Sequence, residues 1–186
     1  MKKVLVMGAV FFTISGMAGC SVEDDKKSVS QLPPTTTSTP QPDDKKQFIS
    51  YHRELMSKVN EADSMYEPFR VALQKGDTIE ATSIALRIKT PMLRLWGDIR
   101  GLEAPDLQNK DAKKKLDQAK DAISGAYLYK ARSVEGWIKF AETQDMKTFA
   151  ELKNKVEDMQ TLLYGGIAYL SEAGNMVGVD LSSAKK

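Results

Sequence analysis

FISYHRELMSKVNEADSMYEPFRVAL, residues 48–73, decides the fold. Phe48, His52, Leu55, Val59, Ala62, Tyr66, Phe69 and Leu73 recur at spacings of four and three, so at 3.6 residues per turn they share one face of a helix. Gly76 suits the position just beyond a helix end. Pro68 predicts a kink near Ser64 or a restart, because proline has no N–H to donate and its ring clashes with the preceding turn.

The same periodicity returns three times downstream. Asp77 with Glu80 forms a capping box for a second helix. Its stripe is Ala81, Ala85, Ile88, Met92, Leu95, Ile99 and Leu102, ending at Ala104-Pro105, with a bend expected at Pro91. A third helix, starting at Asp106 or Asp111 and running to about Thr143, carries Leu116, Ala119, Ile123, Tyr127, Ala131, Val134, Ile138 and Ala141. Asp145 caps a fourth, with Phe149, Leu152, Val156, Met159, Leu163, Gly166, Leu170 and Ala173 on one face and Gly174-Asn175 at its exit. Gly165-Gly166 inside that helix costs about 1 kcal/mol per residue against alanine, which predicts close helix packing or a local kink. No alternating run of β-branched or aromatic residues competes with these helices. Four amphipathic helices joined by short turns predict an all-α fold, an antiparallel up-and-down four-helix bundle over residues 47–176. About 130 residues bury a sizeable core without disulfide or metal. Residues 177–186 are expected to fray as a flexible tail.

The composition upstream is different. Residues 21–46, SVEDDKKSVSQLPPTTTSTPQPDDKK, contain no aromatic residue and few large aliphatics. Such a stretch buries too little apolar surface to offset its ordering and is expected to form a disordered tether, with Asp24-Asp25 and Asp43-Asp44 as solvating charge. Before it, Lys2 and Lys3 precede the uncharged apolar run Val4–Ile14 and then small residues, the layout of a secretory signal peptide. That run is shorter than the roughly 20 residues a permanent membrane helix needs.

Met17-Ala18-Gly19-Cys20 closes this segment and holds the one cysteine of the chain. It resembles the lipobox of bacterial lipoprotein precursors, usually Leu, then Ala or Ser, then Gly or Ala, then Cys, and departs from it only in having Met17 for Leu. The resemblance covers the first 20 or so residues. It implies removal of residues 1–19, a diacylglyceryl thioether on the Cys20 sulfur and acylation of the new amino terminus, so that residues 20–46 become a lipidated tether. In Gram-negative bacteria, lipoproteins with serine after the cysteine usually pass to the outer membrane, and Ser21 fits that pattern; the bundle would then face the periplasm. Lipidation also removes a thiol that would otherwise enter an oxidising compartment unpaired.

Charge excludes one class of partner. The 27 Lys and Arg residues against 25 Asp and Glu give the precursor a net charge of +2. Removing Lys2 and Lys3 brings the two counts level, and a nucleic-acid role loses its compositional support.

The helical stripes carry no carboxylate, so a di-iron centre of Glu and Glu-x-x-His has no ligands there. One histidine excludes multi-histidine zinc sites. No Gly-x-Ser-x-Gly, P-loop or dinucleotide fingerprint occurs. The expectation is therefore a protein without enzymatic activity, metal or cofactor.

Two sets of residues remain. On helix two a second ridge, Ile79, Leu86, Leu93 and Trp96, widens the apolar face and is accompanied by Arg87, Arg94 and Arg100. Burial against neighbouring helices is the first expectation. The other is that Leu86, Leu93 and Trp96 stay exposed and bind an envelope protein, with Arg87 and Arg94 at the rim. Such a role suits a secretion or conjugation accessory factor, an assembly chaperone or an exclusion or inhibitor protein, and a wide apolar face serves self-association equally well. The second set is His52 and Met176, which an antiparallel bundle brings to the same end. Their disposition resembles the haem ligation of four-helix cytochromes of the b562 type with the ligands exchanged, which implies a haem or small-ligand carrier as the alternative. Lys113-Lys114-Lys115 is expected to be a solvated face.

Overall fold

The computed structural model describes residues 42–181. The signal segment, Cys20, Ser21 and the tether as far as Gln41 lie outside the described residues, as do residues 182–186. Four helices follow one another: α1 (Pro42–Gln74), α2 (Thr78–Gly101), α3 (Lys110–Thr143) and α4 (Met146–Met176). No strand occurs among the described residues.

The ends are set by local chemistry. Gly76 takes φ +71°, the left-handed conformation that glycine adopts without a Cβ penalty. The Asp77 carboxylate then accepts the Glu80 N–H at 2.9 Å, one half of the expected capping box; the Asp77 N–H donates instead to Ala72 O at 3.0 Å, so the reciprocal bond from Glu80 does not form. Asn109 caps α3 by accepting from Ala112 N–H at 3.1 Å, which places the start between the two sequence candidates. Asp145 caps α4 by accepting from the N–H groups of Lys147 and Thr148. These bonds favour its charged form and hold its carboxyl below the usual range.

Pro68 and Pro91 lie inside unbroken helices, so the expected restart at Pro68 does not occur. Buried residues flank each proline, Tyr66 and Phe69 in α1, Ile88 and Met92 in α2, and their packing holds the chain helical across the missing bond.

Contacts at both ends fix the antiparallel order. At one end Phe48 of α1 lies against Gly174 of α4, and Lys115 of α3 pairs with Glu172 of α4 at 2.6 Å. At the other, Tyr66 and Ser133 share a hydrogen bond of 3.1 Å, and Phe69, Trp137, Phe140 and Phe149 form a chain of ring contacts from α1 through α3 to α4. Trp137 also donates its indole N–H to Thr82 of α2 at 3.2 Å, so α3 touches all three other helices. Its burial is correspondingly wide, from Ala112 to Phe140.

The closest helix pair is α3 with α4. A Cβ on Gly166 would lie 2.6 Å from Ile123 Cγ1 and 3.1 Å from its backbone nitrogen, and one on Gly136 would lie 2.5 Å from Leu152 Cδ2. The close packing expected at the glycine pair is therefore real and belongs to Gly166. Gly165 would meet nothing within 4 Å.

Two sequence boundaries need correction. Helix α1 begins at Pro42 rather than Gln47. Asp44, expected to be solvating charge in the tether, is buried and accepts the N–H groups of Gln108 and Asn109 at 2.8 and 2.9 Å. A carboxylate satisfies two amide donors of the α2–α3 connection at once, and this outweighs its preference for water. Val177, expected to fray, is 1% exposed, and the following Val179 N–H donates to Gly174 at 2.8 Å. On α1 the fully buried positions include Tyr51 and Ala72, while His52 and Leu73 are only half-buried.

A polar lock joins α1 to α3. Tyr127 donates to Asp63 at 2.6 Å, Lys130 also bonds Asp63, and the Lys130 ammonium lies 4.9 Å from the ring centres of both Tyr66 and Tyr127. Burial raises the pKa of Tyr66 and Tyr127. Burial first, with the nearby charges of Asp117, Asp121 and Glu54, pushes Tyr51 up to about 12. A raised folded-state value means that stability is complete below the unfolded phenol value of about 10 and falls as pH rises beyond it. We expect Tyr51, Tyr66 and Tyr127 to ionise together with loss of helicity, followed by phenolate absorbance and circular dichroism during alkaline titration. Their ionisation with helicity intact would contradict this packing.

Candidate functional site

Helix α2 packs against α1 and α3 through Ala81, Ile84, Ala85, Ile88, Met92, Leu95 and Ile99. Residues 79, 86 and 93 are seven apart, so they follow a single line on the helix, on the side away from Ile88 and Leu95. The expectation that this broad face is wholly buried fails there: Ile79 is 83% exposed and Leu86 61% exposed. Both neighbours lie on the opposite side, and α1 and α3 cannot cover the whole circumference. Leu93 is half-buried against the core. Trp96 is also half-buried and carries the Arg100 guanidinium 5.6 Å from its ring centre. Arg87 and Arg94 are exposed beside this line, and Arg87 lies 3.8 Å from Glu80.

Three residues of this surface were missed by sequence reasoning. Ser83, Thr90 and Gly97 are exposed and interleave with Ile79, Leu86 and Leu93 at alternating spacings of four and three. The signal was present as a second helical stripe in which every other member is small. Gly97 has no intramolecular justification, because a Cβ there would meet nothing within 4 Å, yet glycine within a helix costs about 1 kcal/mol against alanine. The result is a ridge of three aliphatic side chains with low ground between them, rimmed by arginines. A surface of this shape accepts another helix, whose side chains can settle over the small residues.

The His52 and Met176 pair is not built into a ligand site. The start of α1 and end of α4 do meet, but Phe48, which is 0% exposed, fills the space between them, and a Cβ on Gly174 would lie 3.2 Å from its ring. His52 stacks on Phe48 with ring centres 6.1 Å apart, and Met176 is 37% exposed. Desolvation by burial lowers the His52 pKa and favours the neutral ring.

The lysine triplet at 113–115 is partly committed within the fold. Lys113 pairs with Asp117 at 2.6 Å, and Lys115 pairs with Glu172 while lying 4.9 Å from the Tyr169 ring centre; Lys114 is exposed. A cavity of about 210 Å³ opens between α3 and α4 and is lined by Arg132, Lys139, Lys155, Glu135 and Glu151 among others. Its charges are mixed, and Glu135 lies 3.7 Å from Lys89 of α2. Among the described residues, no cluster of three or more His, Cys, Asp or Glu side chains is placed to hold a metal ion, and no helix is long and apolar enough to cross a membrane.

Compared with models of protein families, with curated proteins and with solved structures, the chain finds no match.

Proposed function

We propose that this is a cell-envelope lipoprotein, held to its membrane by acyl chains on Cys20, that works by docking another protein on the outer face of α2. The observation that carries the proposal is the exposed line of Ile79 and Leu86, continued by Leu93 and set among small residues. Covering one large aliphatic side chain is worth about 1.5–3 kcal/mol. The tryptophan and arginines alongside are the residue types that anchor protein interfaces. A docking role of this kind needs no catalytic group.

The anchor follows from the lipobox resemblance at Met17–Cys20 and from the lack of any other cysteine to pair with Cys20. At about 0.8 kcal/mol per buried methylene, two or three acyl chains hold a protein to a bilayer where one is marginal. The polar segment from Ser21 to Gln41 would then act as spacer, delivering the bundle to partners near that surface. Secretion or conjugation accessory factors, assembly chaperones and exclusion or inhibitor proteins all fit that description.

The test is a photo-crosslinking residue at Leu86 in the full-length chain on intact cells, with exposed Glu61 of α1 as the control position. A discrete adduct in the membrane fraction from position 86 and not from 61 is the expected result. Equal or absent crosslinking at the two positions would defeat the proposal. Intact-mass measurement of membrane-extracted protein should show loss of residues 1–19 and a lipidated Cys20; an uncleaved chain or a free thiol would remove the anchor.

A further inference from the structure

We infer that the occupant of the α2 face is a second copy of this chain, its α2 running antiparallel to the first about a two-fold axis between Leu86 and Thr90. This rests on the α2 face being a docking surface and names what docks there.

The inference comes from the order of large and small residues along the ridge. With that axis, Ile79 of one copy lies opposite Gly97 of the other, Leu86 opposite Thr90, and Leu93 opposite Ser83. The exposed Ile79 and Leu86 and the half-buried Leu93 then each meet a glycine, threonine or serine, and each pairing occurs twice by symmetry, as an isologous contact demands. A parallel arrangement places Ile79 against Ile79 and Gly97 against Gly97, which crowds alternate layers and leaves voids between them. Gly97, without a role inside its own fold, gains one as the floor beneath Ile79 of the second copy.

Charges toward the ends of the rim agree, while near the axis each Arg87 and each Lys89 meets its own symmetry mate and is answered only within its own copy. A two-fold axis of this kind brings the same flank of both helices together. Glu80 of each copy then faces Arg94 of the other, giving two opposite-charge pairs. Near the axis Arg87 retains Glu80 of its own helix at 3.8 Å, and on the other flank Lys89 retains Glu135 of its own α3 at 3.7 Å. An acidic foreign helix would answer the arginines but would oppose Glu80 and would leave the alternation of large and small residues without a purpose. Confinement of both copies to one membrane would raise their effective concentration and favour pairing.

The test uses the full-length protein extracted from membranes in detergent. Sedimentation should show a dimer, and Leu86→Glu, a change at an exposed position, should leave helicity unchanged while lowering the association constant roughly 100-fold or more, because it buries an unpaired carboxylate. Glu80→Arg and Arg94→Glu should each weaken the dimer, and the two together should restore it. Under mild oxidation, Ile79→Cys and Gly97→Cys variants mixed together should form a covalent dimer, while neither does so alone; the parent protein with Cys20 sets the background. Crosslinking of Ile79→Cys with itself would overturn the antiparallel register. A monomeric parent whose Leu86 position crosslinks to a different protein would overturn self-pairing and leave the docking surface standing. A monomer with no Leu86 adduct would overturn both.

Discussion

Gly166→Ala should destabilise the bundle by about 2–3 kcal/mol, the upper range for forcing an extra methyl into a packed contact, whereas Gly165→Ala should stabilise it by up to about 1 kcal/mol. The two neighbours share a helix and a residue type and differ only in what lies above them. A methyl on Gly166 meets Ile123 Cγ1 at 2.6 Å, Ile123 N at 3.1 Å and Ala119 O at 3.3 Å. Two of these are backbone atoms of α3 and cannot turn aside, so α3 and α4 must separate along their closest stretch. At Gly165 the methyl has open space, and only the entropic penalty of a helical glycine is removed. Urea unfolding of both variants measures the difference directly. Equal effects, or a harmless Gly166→Ala, would mean that α4 does not approach α3 as described.

Asp44→Ala should cost about 2–3 kcal/mol, and Asp44→Asn about half of that. The carboxylate is 1% exposed and takes two backbone N–H groups, from Gln108 and Asn109, on its two oxygens. Alanine would leave both donors without their acceptor, at about 1–1.5 kcal/mol for each bond, the low end for a charged acceptor because Gln108 and Asn109 are reached by water. Asparagine keeps one acceptor oxygen and turns a donor toward the second N–H. Loss of Asp44 should therefore release the first turn of α1 from the α2–α3 connection while the remainder stays helical. Hydrogen exchange at Gln108 and Asn109 is the readout, and unchanged protection in Asp44→Ala would show that the clamp does not hold this end.

The four helices and their antiparallel order are legible in the sequence because their apolar stripes are long and their caps are conventional: Asp77 and Asp145 both bond the amides their positions predict. The start of α1 is not, since PQPDDKK has the composition of a solvated linker and nothing local signals that Asp44 will meet amides more than 60 residues away. The same limit applies to the α2 ridge. Counting apolar residues reveals that the face is wide, but which line of a helix its neighbours cover is a tertiary fact, and it left Leu86 exposed while drawing Leu93 partly inward. The surroundings of His52 and Met176 are set in the same way: topology brings their helix ends together, and Phe48 lies there against His52 and Gly174.

Docking as proposed requires that the α2 face be covered at the membrane, and the accessibility of a thiol at Leu86 measures this directly. In Leu86→Cys, reaction with a maleimide should be slow on opened membrane fragments and fast after dilution in detergent to concentrations below those at which the dimer sediments, while Ser64→Cys on the exposed side of α1 reacts equally in both. Equal, fast labelling at position 86 in the two states would mean that this surface stays open to water, contradicting the account of the protein as a docking module.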